Sequence, residues 1–324
     1  MFLPIVILAQ ALYITGPGGD VYMAANEVPE GSCVMSGAEE LVYEVNNFNT
    51  CNEIVLEPGC YRAELRGGVG LANADCVDYM AQSETFIVSA VFSLSETVTA
   101  YALRGGDGNA GSVNKSGSRY GTFGGGASGV DSILVVDGRT WRAEGGEGNT
   151  CTISENNSVL NRLYSRTATA IGNGFGGKAD LDGSENGYCA YGKNNTEVFG
   201  VGGGGGGAPD GLGGTKWQYK NSFPDTNMSI GLGADGSATG GGKGGDVVSC
   251  KTYKCTELLS ATGGQGGATV QFSCGGAIAV SYGGGGGGGS VYGTGSSGFK
   301  ANGGNGGSGS TGTSSTSFVR IYKM

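Results

Sequence analysis

The chain predicts an all-β fold, an antiparallel β-sandwich with an inserted bundle of polyglycine-II helices, and three observations point there. Glycine fills 70 of 324 positions in unbroken blocks, Gly202, Gly203, Gly204, Gly205, Gly206 and Gly207, then Gly283, Gly284, Gly285, Gly286, Gly287, Gly288 and Gly289, with a shorter Gly124, Gly125 and Gly126. Strand-like segments of apolar–polar alternation precede the blocks and follow them. No stretch shows the apolar period of an amphipathic α-helix.

The blocks bound the architecture. Collagen needs glycine at every third position of a proline-rich chain, whereas this chain has 6 prolines and uninterrupted glycine. Ordering six glycines costs roughly 6–12 kcal/mol of backbone entropy. An isolated run in water has no means of offsetting that, but several polyproline-II-like runs side by side exchange N–H···O=C bonds worth about 0.5–1.5 kcal/mol each. The expected unit is a bundle of many such helices, formed all together.

Along the chain, residues 1–19 read as a signal peptide or as a first strand. Phe2 to Leu8 is an apolar run ending at Ala9-Gln10-Ala11, a small-x-small cleavage pattern. Residues 20–144 carry the sandwich strands. Glu53 to Leu56 and the strand after Glu57-Pro58-Gly59 are expected to form a hairpin, in which Tyr61, Ala63 and Leu65 face the core and Arg62, Glu64 and Arg66 face water. Thr85–Leu94 and Thr97–Arg104 are expected to pair, and Asp137-Gly138 should turn Ser132–Val136 back into Thr140–Glu144. Residues 145–315 are the glycine-rich insertion, with short strands at Thr269–Phe272 and Ile278–Tyr282. Residues 316–324 hold a last alternating strand, Phe318 to Tyr322, that returns to the sandwich.

Cys33, Cys51, Cys60, Cys76, Cys151, Cys189, Cys250, Cys255 and Cys274 contain no Cys-x-x-Cys pair, so they read as a disulfide framework in an oxidising compartment. Cys51 and Cys60 bracket the first expected hairpin, and Cys250 and Cys255 lie close enough for a small loop. An odd count leaves one thiol unpaired or bonded between chains. Sequons begin at Asn114, Asn156, Asn194 and Asn227.

These features together resemble the glycine-rich domain of the anaplastic lymphoma kinase and leukocyte tyrosine kinase receptors and of the secreted and surface proteins that share it. The resemblance rests on Pro58 to Gly68, on Tyr101 to Gly108, on Gly124-Gly125-Gly126-Ala127-Ser128 with Ile133 to Val136 and Arg142 to Gly148, and on the closing Gly303–Gly309 and Phe318–Tyr322. It departs at the inserted Gly129 and Val130 and at Glu144 and Glu147. The resemblance implies a tumour-necrosis-factor-like sandwich holding a hexagonal polyglycine bundle, used as an extracellular scaffold.

Chemistry is excluded more readily than assigned. A net charge of −9 argues against nucleic acid, and zero histidines remove the commonest general base and metal ligand. Gly172 to Lys178 is a near P-loop with Ala179 where magnesium needs Ser or Thr, Gly231 to Gly236 matches a dinucleotide pattern without its strand and helix, and Asp180, Asp182 and Glu185 fall short of a calcium loop. No cofactor, metal or membrane span is expected. The chain reads as a non-enzymatic secreted or surface recognition and adhesion protein that meets a protein or glycan partner outside the cell. Its candidate binding group is Lys216, Trp217, Tyr219 and Lys220, which mixes aromatic and cationic side chains just after a glycine run. A self-assembling matrix component linked through the odd cysteine, and a carboxylate-based extracellular hydrolase, are the alternatives.

Overall fold

The computed structural model describes residues 12–15, 21–24, 33, 38–70, 85, 87–116, 120–146, 148, 190–191, 197–201, 205–208, 212–213, 217–218, 229–238, 240–250, 258–294, 297–310, 312 and 316–324. The first strands are β1 (Leu12–Thr15), β2 (Val21–Ala24), β3 (Glu40–Glu44), β4 (Cys51–Leu56), β5 (Gly59–Arg66), β6 (Ile87–Leu94), β7 (Val98–Leu103), β8 (Val113–Ser116), β9 (Tyr120–Phe123), β10 (Ser132–Val136) and β11 (Arg139–Ala143). The glycine-rich part adds β12 (Ala190–Tyr191), β13 (Glu197–Val201), β14 (Trp217–Gln218), β15 (Ser229–Ile230), β16 (Val247–Cys250), β17 (Leu258–Ala261), β18 (Val270–Cys274), β19 (Ala277–Ser281), β20 (Ser290–Thr294) and β21 (Ser297–Ala301), and β22 (Phe318–Lys323) follows. No α-helix occurs among the described residues.

Two antiparallel sheets make a sandwich-like body. One has the order β2-β1-β6-β5-β22-β3 and the other β11-β10-β7-β4. Alternation along β5 buries Tyr61, Ala63 and Leu65, and the returning β22 buries Val319 and Ile321 beside them. From the other sheet come Ile54, Leu56, Ala100, Ala102, Leu134 and Val136. Phe92 sits at the centre, its ring 5.6 Å from that of Tyr61 and 5.0 Å from that of Trp141. The Asp137-Gly138 hairpin forms as expected, both residues having positive φ (47° and 72°), as a type I′ turn requires.

The two other expected pairings are corrected. β4 pairs with β7 in one sheet while β5 pairs with β6 in the other, so the Glu57-Pro58-Gly59 turn and the Ser95–Thr97 turn carry the chain across the core. Alternation cannot distinguish a hairpin from such an arch, because both put the same apolar side chains into one interior.

The β18–β19 hairpin adds a third layer. It covers Ile133 and Val135, the outward residues of β10, and this is why that strand is buried at every position. A disulfide from Cys51 on β4 to Cys274 on β18, Cα atoms 5.1 Å apart, ties hairpin to sheet across 223 residues, and a second joins Cys33 to Cys60. Cys51 and Cys60 therefore pair with distant partners. Cys76, Cys151, Cys189 and Cys255 lie outside the described residues.

Between the strands the glycine segments run as rows, hydrogen-bonded main chain to main chain with a repeat of three. Val130, Ala127 and Gly124 donate to the carbonyls of Gly106, Asn109 and Ser112 at 2.9, 2.8 and 2.9 Å, an antiparallel pair of rows. Gly303, Gly306 and Gly309 donate to Thr262, Gln265 and Ala268 at 2.7, 2.8 and 2.8 Å, a parallel pair. A β-ladder repeats every two residues and joins each chain to two neighbours in one plane. Gly283 to Gly289 with Tyr282 instead bonds to five other segments, through Gly205 and Ala208, Gly245, Gly264 and Gly267, Gly304 and Gly307, and Gly125 and Ser128.

That surround leaves no side-chain space. A Cβ on Gly284 would lie 2.0 Å from Gly125 O, and one on Gly267 1.9 Å from Gly307 O. All of Gly283–Gly289 is buried, whereas rows 240–246, 262–268 and 302–308 expose one residue in three: Lys243 and Asp246, Thr262 and Gln265, and Asn302, Asn305 and Ser308. Uninterrupted glycine therefore marks an interior row, and a Gly-Gly-X triplet marks a row with one side open to water.

Two predictions follow from this packing. Phe92→Ala should lower stability by about 3–5 kcal/mol in urea unfolding, while the exposed Val55→Ala stays within about 0.5 kcal/mol. Gly284→Ala should abolish soluble, cooperatively melting protein because backbone has to move, whereas Lys243→Ala should melt within a few degrees of the parent; equal melting curves would contradict the close-packed rows.

Candidate functional site

The rows have two ends. Rows 104–112 and 144–148 leave β7 and β11, and row 124–130 enters β10, so these ends abut the sandwich. The opposite, far end carries the β8–β9, β16–β17 and β20–β21 hairpins, with β13 paired onto β20 and β14 onto β13. There β21 packs on β8, β9 and β17, and β20 on β16 and β17, so loops distant in sequence share one cap.

Of the expected binding group, Trp217 lies in this cap on β14, opposite Val201, at the point where β13 runs into the glycine block. Lys216, Tyr219 and Lys220 lie outside the described residues, as do Gly202–Gly204, the near P-loop and the Asp180–Glu185 acidic turn. The dinucleotide-like Gly231 to Gly236 is an outer row: Gly231 and Ala234 donate to the carbonyls of Asp246 and Lys243, and no α-helix follows.

The outer rows carry a device that glycine content alone does not reveal. Side-chain oxygens of one row accept the outward N–H groups of the next: Asn302 from Thr262 (3.1 Å), Asn305 from Gln265 (2.8 Å), Asp246 from Gly263 (2.8 Å), Asp235 from Gly213 (2.6 Å) and Ser112 from Asn305 (2.6 Å). Each bond satisfies a donor facing solvent and fixes which row sits beside which. Burial works against ionisation of Asp246, but the Lys243 ammonium and the Gly263 N–H outweigh it and hold the carboxyl below its ordinary range. The recurrence of Asn, Asp, Gln and Ser three residues apart was the missed sequence signal.

The outer face of the larger sheet is a closed charge ladder. Arg62 Nε donates to Glu39 at 2.7 Å, Arg62 also pairs with Glu64, and its guanidinium lies 4.4 Å from the Tyr322 ring centre. Arg320 Nε donates to Glu44 at 2.8 Å, and the Tyr322 hydroxyl to Glu64 at 3.3 Å. The Glu39 bond raises Arg62 above its ordinary value, and burial followed by the Glu64 charge raises Tyr322. Each charge is matched by a neighbour, so the ladder positions strands and offers no reactive group. Among the described residues no group of three or more Cys, Asp and Glu is placed to hold a metal, and no helix is long and apolar enough to cross a membrane.

No protein-family model matches the chain, and no curated protein is significantly similar to it in sequence.

The ladder sets an acid response. The Arg62 hydrogen bond holds Glu39 below its ordinary 4.5, so its contribution is complete above about pH 4.5 and is lost as pH falls through the lowered value. Urea titrations should show about 0.2–1 kcal/mol of acid-dependent loss, the size of an exposed ion pair, that disappears in Glu39→Gln.

Proposed function

We propose that the rows are polyglycine-II helices inserted in a tumour-necrosis-factor-like sandwich, as in the receptor glycine-rich domain that the chain resembles, and that the protein is a secreted or surface recognition and adhesion scaffold. The observation that carries this is the far-end cap. Rows stitched by main-chain bonds at every third residue hold hairpins from residues 113–123, 247–261 and 290–301 side by side, as binding loops are held on a stiff support. Lys216, Trp217, Tyr219 and Lys220 are the contact group, and Trp217 anchors it beside β13. Its partner is an extracellular protein or glycan. The two disulfides fit an oxidising environment, and the outside of the cell is the compartment this function needs.

This proposal is non-enzymatic. It draws on a chain without histidine whose described carboxylate and guanidinium ladder is internally matched. Nine cysteines less the four in described disulfides leave five, an odd number, which favours a second role as a matrix component joined chain to chain.

W217A/Y219A should reduce binding of the labelled full chain to glycan arrays and arrayed extracellular ectodomains by about tenfold or more, with melting unchanged. Unchanged binding would remove this surface. Sedimentation separates the two roles: a monomer with and without reductant supports recognition, and polymers that reductant dissolves support matrix assembly.

A further inference from the structure

The exposed side of the outer rows is a second surface, distinct from the far-end cap. Rows 231–237, 240–246, 262–268 and 302–308 are bonded edge to edge, Gly231 to Asp246, Gly244 to Gly264 and Gly303 to Thr262. Row 231–237 exposes Leu232, Ala234, Asp235 and Ser237, and the other three rows expose every third residue, from Lys243 and Asp246 to Asn305 and Ser308. The intervening glycines have no side chain to raise relief. The result is a low-relief face on which the functional groups of rows 240–246, 262–268 and 302–308 repeat every three residues, about 9 Å in a polyproline-II geometry.

We propose that this face binds an extended, uncharged polysaccharide, which builds on the recognition role but uses a different surface. Charge narrows the partner: Lys243 bonds Asp246 at 2.8 Å, and with Asp235 the face carries one net negative charge (+1 − 2), so a polyanion finds no counter-charge. Area narrows it further. Four rows at about 4.8 Å and six steps of about 3.1 Å give roughly 360 Å², less than half the roughly 800 Å² that each partner of a stable protein complex contributes. A single extended sugar chain needs less, and its evenly repeated hydroxyls match carboxamides and hydroxyls at a fixed repeat. The Asn302, Asn305 and Asp246 side chains are already held by the N–H groups they accept, so little side-chain freedom is left to lose on binding.

The test is depletion of the full chain by microcrystalline cellulose, chitin, a β-1,3-glucan and a mannan. Retention is expected on at least one, and it should survive about 1 M salt because uncharged contacts are not screened. T262R/S308R, which places two long cations on the face, should lower retention about tenfold or more with the melting curve preserved. Should that pair fail to fold, Ser308→Gln alone is expected to weaken retention measurably. Retention at the parent level in these variants, or on none of the four polymers, overturns the proposal. So does concentration-dependent dimerisation that T262R/S308R abolishes, which would give the face to a second copy. Loss in W217A/Y219A but not in T262R/S308R would keep recognition and move the glycan to the far-end cap.

Discussion

Main-chain contact without an intervening Cβ is the constraint on which this structure rests. A glycine row gains nothing from apolar burial and carries the largest entropy cost on ordering, so its stability comes from neighbours on several sides at once. Gly283–Gly289 meets that condition by bonding to five segments, and each of those depends in turn on others. Such an arrangement is cooperative by construction: a row with one neighbour missing keeps its full entropy cost and loses part of its compensation. The sandwich supplies the fixed ends. β7, β10 and β11 clamp three rows, and the Cys51–Cys274 bridge holds the hairpin that joins two more.

How much of this is legible in sequence depends on the range of the signal. Alternation in Tyr61-Arg62-Ala63-Glu64-Leu65 and the Asp137-Gly138 turn are local, and both match the structure. Which sheet each strand joins is non-local, and so Leu56 and Gly59 were expected side by side although they lie in facing sheets. The Cys51–Cys274 bridge is further still beyond spacing arguments, since the chain between passes through almost the whole glycine-rich part. The glycine rows fall between these limits. Unbroken blocks announce close packing, but the informative pattern is the triplet, Asn302-Gly-Gly-Asn305-Gly-Gly-Ser308 or Lys243-Gly-Gly-Asp246, which marks an outer row and points its capping oxygens at the adjacent one.

The same rule divides labour within the scaffold. An interior row tolerates no side chain, so it can hold position but cannot recognise anything. Recognition is confined to where the lattice ends, in the hairpins of the far cap, or where it meets water, at the third residue of each outer triplet. These two places differ in kind: the hairpins offer varied loops suited to an irregular partner, while the outer rows offer one short list of side chains at a fixed repeat.

Rigidity links the two. The carboxamides on the outer rows are held by N–H groups of neighbouring rows, and those rows are held by the sandwich through their ends, so an exposed Asn305 inherits the stiffness of a core it does not touch. In an ordinary surface strand the exposed positions follow a two-residue repeat and the sheet twists, so groups on neighbouring strands drift apart in direction. Rows with a three-residue repeat that bond in several directions resist that twist, because a rotation that suits one neighbour breaks bonds to the others. Packing bare main chain in three dimensions thus fixes the direction of what the outermost row carries, and evenly spaced polar groups follow wherever every third residue of that row is something other than glycine.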